Sequence, residues 1–140
     1  MLNLAASQQE QIRAHGERDY PYECCGLLLG QFGLHGHKIC AATYEISNAR
    51  EETAKRNRFL IRPEELLRGE RMAAAKGLEV IGFYHSHPDH PAVPSEYDRE
   101  HAWPTYSYVV VAVTSGAAGA LRSWELQADR SRFDEEVISN

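Results

Sequence analysis

The chain has 140 residues, of which 43% are hydrophobic and 25% charged, and a formal net charge of -5. That length suits one domain, residues 1–140, with a core of ordinary size, and the composition excludes a largely disordered body. An acidic balance argues against nucleic-acid binding, which calls for a basic patch, and no apolar run is long enough to span a membrane.

The first ten residues have no basic start and no long apolar segment, so no secretory signal is expected and the cytoplasm is the expected compartment. Ser7 and Glu10 have the spacing of a capping box and predict a helix from Ser7 to Arg18, ended by Pro21. Glu23 to Gly30 holds a continuous apolar run bounded by glycines and reads as a buried strand. Residues 31–37 carry Gly33 and Gly36 and read as a turn into a second strand, Lys38 to Ser47, which makes a hairpin. Asn48 to Arg56 is polar and reads as a loop, and Arg58 to Arg62 as a short strand. Pro63, followed by Glu64 and Glu65, opens a helix that runs to Lys76 and ends at Gly77. Leu78 to Tyr84 is apolar on both faces and is expected at the centre of a sheet. A loop with Pro88, Pro91 and Pro94 leads to a short helix over 95–102. Two further strands follow, Tyr106 to Val113 and Gly119 to Leu126, paired antiparallel across Thr114-Ser115-Gly116. Phe133, Val137 and Ile138 suggest a last edge strand. The order of elements predicts a mixed α/β domain rather than a regular βαβ repeat.

Three cysteines, Cys24, Cys25 and Cys40, are an odd number with two adjacent, which argues against a disulfide framework. They are expected to pack as small apolar residues.

The chemistry is carried by His85-Ser86-His87-Pro88 and Ser95-Glu96-Tyr97-Asp98. Side chains alternate along a strand, so His85 and His87 at a strand end point to the same face. Asp98 lies one turn into a helix begun by Ser95 and becomes a third ligand if the Pro-rich loop folds that helix back. Two histidines and one carboxylate, with a position left for water, form a catalytic zinc arrangement. Such a site also needs a proton acceptor and an oxyanion donor, for which Glu23 and Ser95 are the candidates.

His85-Ser-His87-Pro, with seven residues between His87 and Ser95, and then Ser95-x-x-Asp98 resemble the motif of the JAMM (MPN-plus) metalloprotease family. Glu23-Cys-Cys-Gly-Leu-Leu-Leu-Gly resembles the segment that carries that family's catalytic glutamate. The resemblance implies a curved mixed sheet flanked by helices, with a cytidine-deaminase-like arrangement. It implies zinc held by His85, His87 and Asp98, Glu23 as general base, and Ser95 stabilising the oxyanion. It further implies hydrolysis of a peptide or isopeptide bond next to the C-terminus of a ubiquitin-like protein. The small size and the string from His87 to Asp98 resemble the stand-alone bacterial branch. Its members process sulfur-carrier proteins with a Gly-Gly tail, and in the CysO-cysteine type release cysteine.

Bland readings stand beside these. Ser95-x-x-Asp98 is also close to a capping box, and Glu23 alone is an acid before a strand. His35-Gly36-His37 repeats the His-x-His spacing, but between glycines in a turn, and is expected to be exposed. His90 is expected at the border of a substrate groove, His101 on the short helix, and Trp103 and Tyr106 in the core or at its rim. Gly77, Gly82 and an exposed edge near Tyr84 are candidate places for a substrate tail added as a strand. Two other functions compete: a non-catalytic scaffold of the same fold, and a DNA-associated protein similar to RadC-like members, against which the acidic charge argues.

Overall fold

The computed structural model describes residues 1–48 and 61–140. In chain order the elements are β1 (Leu2–Asn3), α1 (Ala6–Asp19), β2 (Cys25–Phe32), β3 (Lys38–Ile46), α2 (Pro63–Ala75), β4 (Glu79–Pro88), α3 (Glu96–His101), β5 (Ser107–Thr114), β6 (Ala117–Leu126), β7 (Phe133–Glu136) and β8 (Ile138–Ser139). The strands form one mixed sheet in the order β7-β6-β5-β4-β2-β3-β1-β8. The β2–β3, β2–β4, β5–β6 and β6–β7 pairs are antiparallel, whereas β4 and β5 run parallel. The α/β class and the curved mixed sheet flanked by helices are as expected.

The curvature follows from the connections. β7 and β8 stand at opposite margins of the sheet, yet only Val137 separates them along the chain. The sheet therefore curls until its margins meet. Lys38 of β3 reaches across to Glu125 of β6 at 2.6 Å and to Glu136 of β7 at 3.1 Å.

Each face is filled by its own apolar set. Ile12 of α1 packs with Leu28, Ile81, Tyr84, Val109, Val111 and Val113 on one face. Ala73 of α2 packs with Cys25, Leu27, Leu29 and Ile46 on the other. Leu27 and Leu28 are fully buried, each contributing roughly 1.5–3 kcal/mol. A third cluster, of Ala102, Tyr108 and Leu126, underlies α3.

Several expectations need correction. Helix α1 begins at Ala6, so Ser7 and Glu10 do not cap it; the Ala5 N–H donates to Gln8 Oε1 at 2.9 Å instead. The buried Leu2 and Leu4 are the cause, because they tie the preceding segment to the sheet and fix where the chain turns. Ile61 and Arg62 are not a strand: Arg62 is the extended N-cap of α2, with Pro63 at the first helical position as expected. The remainder of that strand, 58–60, and of the expected loop, 49–56, lies outside the described residues. β4 continues through Pro88, because β5 lies parallel beside it and pairs Val110 with His85 and Ala112 with His87. Tyr84 is on no exposed edge. It is buried between β2 and β5, and a Cβ on Gly82 would sit 2.3 Å from the Ser107 carbonyl oxygen. Gly77, at φ +70°, only terminates α2.

Candidate metal centre and its cleft

Two neighbouring strands and one short helix bring the chemistry together. On β4, His85 and His87 project from the same face, and their Nε2 atoms lie 3.1 Å apart. Glu23 lies two residues before the start of β2, whose Cys25 pairs with His85. The Cys24 N–H donates to Ser86 Oγ at 2.8 Å, and the Ser86 N–H donates to the Cys24 carbonyl at 3.2 Å. These bonds lock the start of β2 to the end of β4. As a result the buried Glu23 carboxylate lies within 4.8 Å of both imidazoles.

Asp98 comes from α3. Its Oδ2 is 3.1 Å from His85 Nε2 and 3.2 Å from His87 Nε2, and also accepts the Ser95 N–H at 2.8 Å. Ser95 Oγ in turn accepts the Asp98 N–H at 3.1 Å. This reciprocal capping box aims the carboxylate at the two rings. The capping reading and the ligand reading are therefore compatible: one geometry serves both.

The donor set fits a small divalent cation. Bonds of about 2.0–2.2 Å at tetrahedral angles place ligand atoms about 3.3–3.6 Å apart, a few tenths of an ångström wider than the spacing of these three. The Pro91 carbonyl lies 2.9 Å from His87 Nδ1 and can only accept, so Nδ1 carries a hydrogen and Nε2 is the ring nitrogen that would bind a metal. Burial by itself would raise the Asp98 carboxyl, but the facing His85 and His87 rings and the Ser95 N–H outweigh it. They hold the group well below the usual carboxylate range.

The centre opens onto a cleft of about 580 Å³ lined by Glu23, His87, His90, Val93, Ser95 and Glu96, among others. His90 thus borders it as expected, while Glu96 is a lining residue that the sequence did not single out. The Pro-rich loop that forms one wall is pinned in place. Asp89 accepts the Tyr20 hydroxyl at 2.7 Å and the Ser115 N–H at 2.8 Å, and the Trp124 indole N–H donates to the Ala92 carbonyl at 3.1 Å. A half-buried indole N–H needs a partner, which was the signal available in the sequence for Trp124.

Other candidates fall away. His35 and His37 are exposed on the β2–β3 turn. His101 stacks on Tyr97 with ring centroids 4.1 Å apart. Burial pushes the Cys24 thiol up to about 12 and that of Cys40 up to about 11, with Cys25 also raised, so none offers a thiolate near neutral pH. Trp103 is 64% exposed, a rim residue, whereas Tyr106 packs edge-on against Phe83.

Comparison with known proteins gives the family. Residues 5–127 match the family described as prokaryotic homologs of the JAB domain. The chain belongs to that family. It is 35% identical over 114 residues to the desampylase of Haloferax volcanii, covering 78% of each chain. A Thermus thermophilus protein named "Probable TtuB-protein conjugate cleaving protease" is 30% identical over 101 residues, 72% of this chain and 63% of that one. A solved structure from Salinibacter ruber superposes with a TM-score of 0.77 at 40% identity, covering 97% of this chain and 89% of the other.

Proposed function

We propose that this hydrolase, acting as a single metallopeptidase domain over residues 1–140, cuts a peptide or isopeptide bond at the C-terminus of a ubiquitin-like protein. The observation that carries the reading is the triangle of His85 Nε2, His87 Nε2 and Asp98 Oδ2, with the Glu23 carboxylate beside it in an open cleft. One zinc ion is the proposed occupant, with His85, His87 and Asp98 as its ligands. Held there, it would supply a water acidic enough to lose a proton near neutral pH.

The rest is assigned to the chain itself. Glu23 accepts that proton on its carboxylate and passes it to the leaving nitrogen. The Ser95 hydroxyl uses its lone pair to cap α3, so its O–H stays available to donate to the substrate carbonyl oxygen. The pinned loop holds the substrate's end against these groups. Relatives named for cleaving protein conjugates support a ubiquitin-like substrate. Within that class we favour a sulfur carrier with a Gly-Gly tail, processed in the cytoplasm, with cysteine as a product of the cut. Among the described residues no helix is long and apolar enough to cross a membrane.

The test is zinc content and cleavage, measured together on the wild type, His87→Ala and Glu23→Gln. The substrates are a carrier ending in Gly-Gly-Cys and a carrier joined to a lysine side chain. One zinc per chain is expected in the wild type and in Glu23→Gln, and little in His87→Ala. Turnover in Glu23→Gln should fall by roughly 10²–10⁴-fold. Wild-type turnover in Glu23→Gln refutes the base assignment, and zinc retained by His87→Ala refutes the ligand set. Bound zinc with neither substrate cut refutes the substrate class.

A further inference from the structure

The helix that carries Asp98 is too short to stand alone. α3 has six residues, and an isolated helix of that length is not stable in water. Its first turn is fixed by Ser95 and Asp98. Its last turn is held from outside by Arg130, on the turn between β6 and β7. The Arg130 guanidinium donates to the Ala102 carbonyl at 2.8 Å and to the Glu100 carbonyl at 3.3 Å. A cation on those last carbonyls satisfies acceptors that the helix leaves open and complements its dipole. Arg99 closes the loop by donating to the Arg130 carbonyl at 2.9 Å. The same guanidinium lies 5.7 Å from the Trp103 ring centroid. The turn is itself braced, with the Arg130 N–H on the Gln127 carbonyl at 2.8 Å and the Gln127 N–H on the Arg132 carbonyl at 3.0 Å. Arg130 lies outside the family match, which ends at 127.

We propose that Arg130 is a positioning residue for the metal centre: it clamps the C-terminal end of α3 and so fixes where the Asp98 carboxylate stands over His85 and His87. This rests on the reading of Asp98 as a ligand. Removing the fork frees the C-terminal end of α3, so the short helix tilts and the bond from the Asp98 N–H to Ser95 Oγ opens more often. The Asp98 oxygen then moves relative to rings that are fixed on β4.

The experiment compares zinc affinity, by competition with a chromophoric chelator, in the wild type, Arg130→Ala, Arg130→Lys and Asp98→Ala. Amide exchange at Asp98 is followed in the metal-free proteins. Arg130→Ala is expected to bind zinc about tenfold or more weakly, with Arg130→Lys in between because an ammonium cannot form the fork. Exchange of the Asp98 amide should quicken by a similar factor. A lowered melting temperature with wild-type zinc affinity overturns the proposal, while a failing Asp98→Ala leaves the ligand reading intact. Wild-type affinity in Asp98→Ala overturns the ligand reading and the proposal together. Should Arg130→Ala not fold, Arg130→Lys decides: a several-fold loss supports the clamp and wild-type affinity overturns it.

Discussion

At the scale of single residues, Ser95 is a structural cap to which the proposed mechanism adds a second duty, donation to the substrate. Its Oγ accepts the Asp98 N–H, its own N–H holds the Asp98 carboxylate, and it lines the cleft. The two duties separate in Ser95→Gly. Glycine at an N-cap costs only a few tenths of a kcal/mol, so the melting temperature and zinc content should hardly move. The hydroxyl donor is gone, so kcat should fall by about 10²–10³-fold with KM little changed. A variant that keeps wild-type kcat would leave Ser95 as a cap and nothing more. The sequence made the residue types of this site readable, because His-x-His and Ser-x-x-Asp are local patterns. It could not show that Pro91 offers its carbonyl to His87, since that contact depends on the path of an irregular loop.

Among the elements, β4 and α1 meet at a buried polar contact that no local pattern announces. His15 Nε2 lies 3.3 Å from Asp19 Oδ2, which can only accept, so Nε2 carries the hydrogen and Nδ1 accepts the Tyr84 hydroxyl at 2.7 Å. Tyr84 also fills the space behind Gly26, where a Cβ would fall 2.1 Å from its ring. The strands and helices themselves were legible wherever periodicity was strong, as in β2, β4 and β5. Their ends were not: burial of Leu4 set the start of α1, and pairing with β5 extended β4 past the last apolar residue. Burial lowers the His15 pKa below its ordinary value of 6.5, against the opposing pull of Asp19 and Glu45. The folded chain therefore binds fewer protons here than the unfolded chain. Stability from this group is complete above the unfolded value and is lost as pH falls below it. Urea midpoints taken from about pH 7.5 to about pH 5.5 should drop more steeply in the wild type than in His15→Gln. Parallel slopes would show that His15 is not held neutral.

Across the whole molecule, the curled sheet buries charge between its margins. Lys38 sits between Glu125 and Glu136, and Glu136 also accepts the Ser107 and Ser123 hydroxyls at 2.6 and 2.8 Å. Lys38 and Glu136 are 98 positions apart, so the pairing exists only once the sheet has curled, and no local pattern announces it. A buried pair adds little net stability against an apolar substitute, yet breaking it leaves an uncompensated charge. Lys38→Met strips Glu136 of its nearest cation, and the Met1 amino group at 3.5 Å offsets only part of that loss. The expected cost is about 3–5 kcal/mol. Adding Glu136→Gln removes the stranded charge and keeps an amide oxygen for the two serines. The double variant should therefore be destabilised by less than the sum of the single ones, with a coupling of about 0.5–3 kcal/mol. Zinc content should stay at the wild-type level throughout, because none of these residues bonds to His85, His87 or Asp98. Additive losses in urea unfolding would mean that the margins are held by the backbone pairing of β1 and β8 alone, and that Lys38 is a tolerated passenger in the seam.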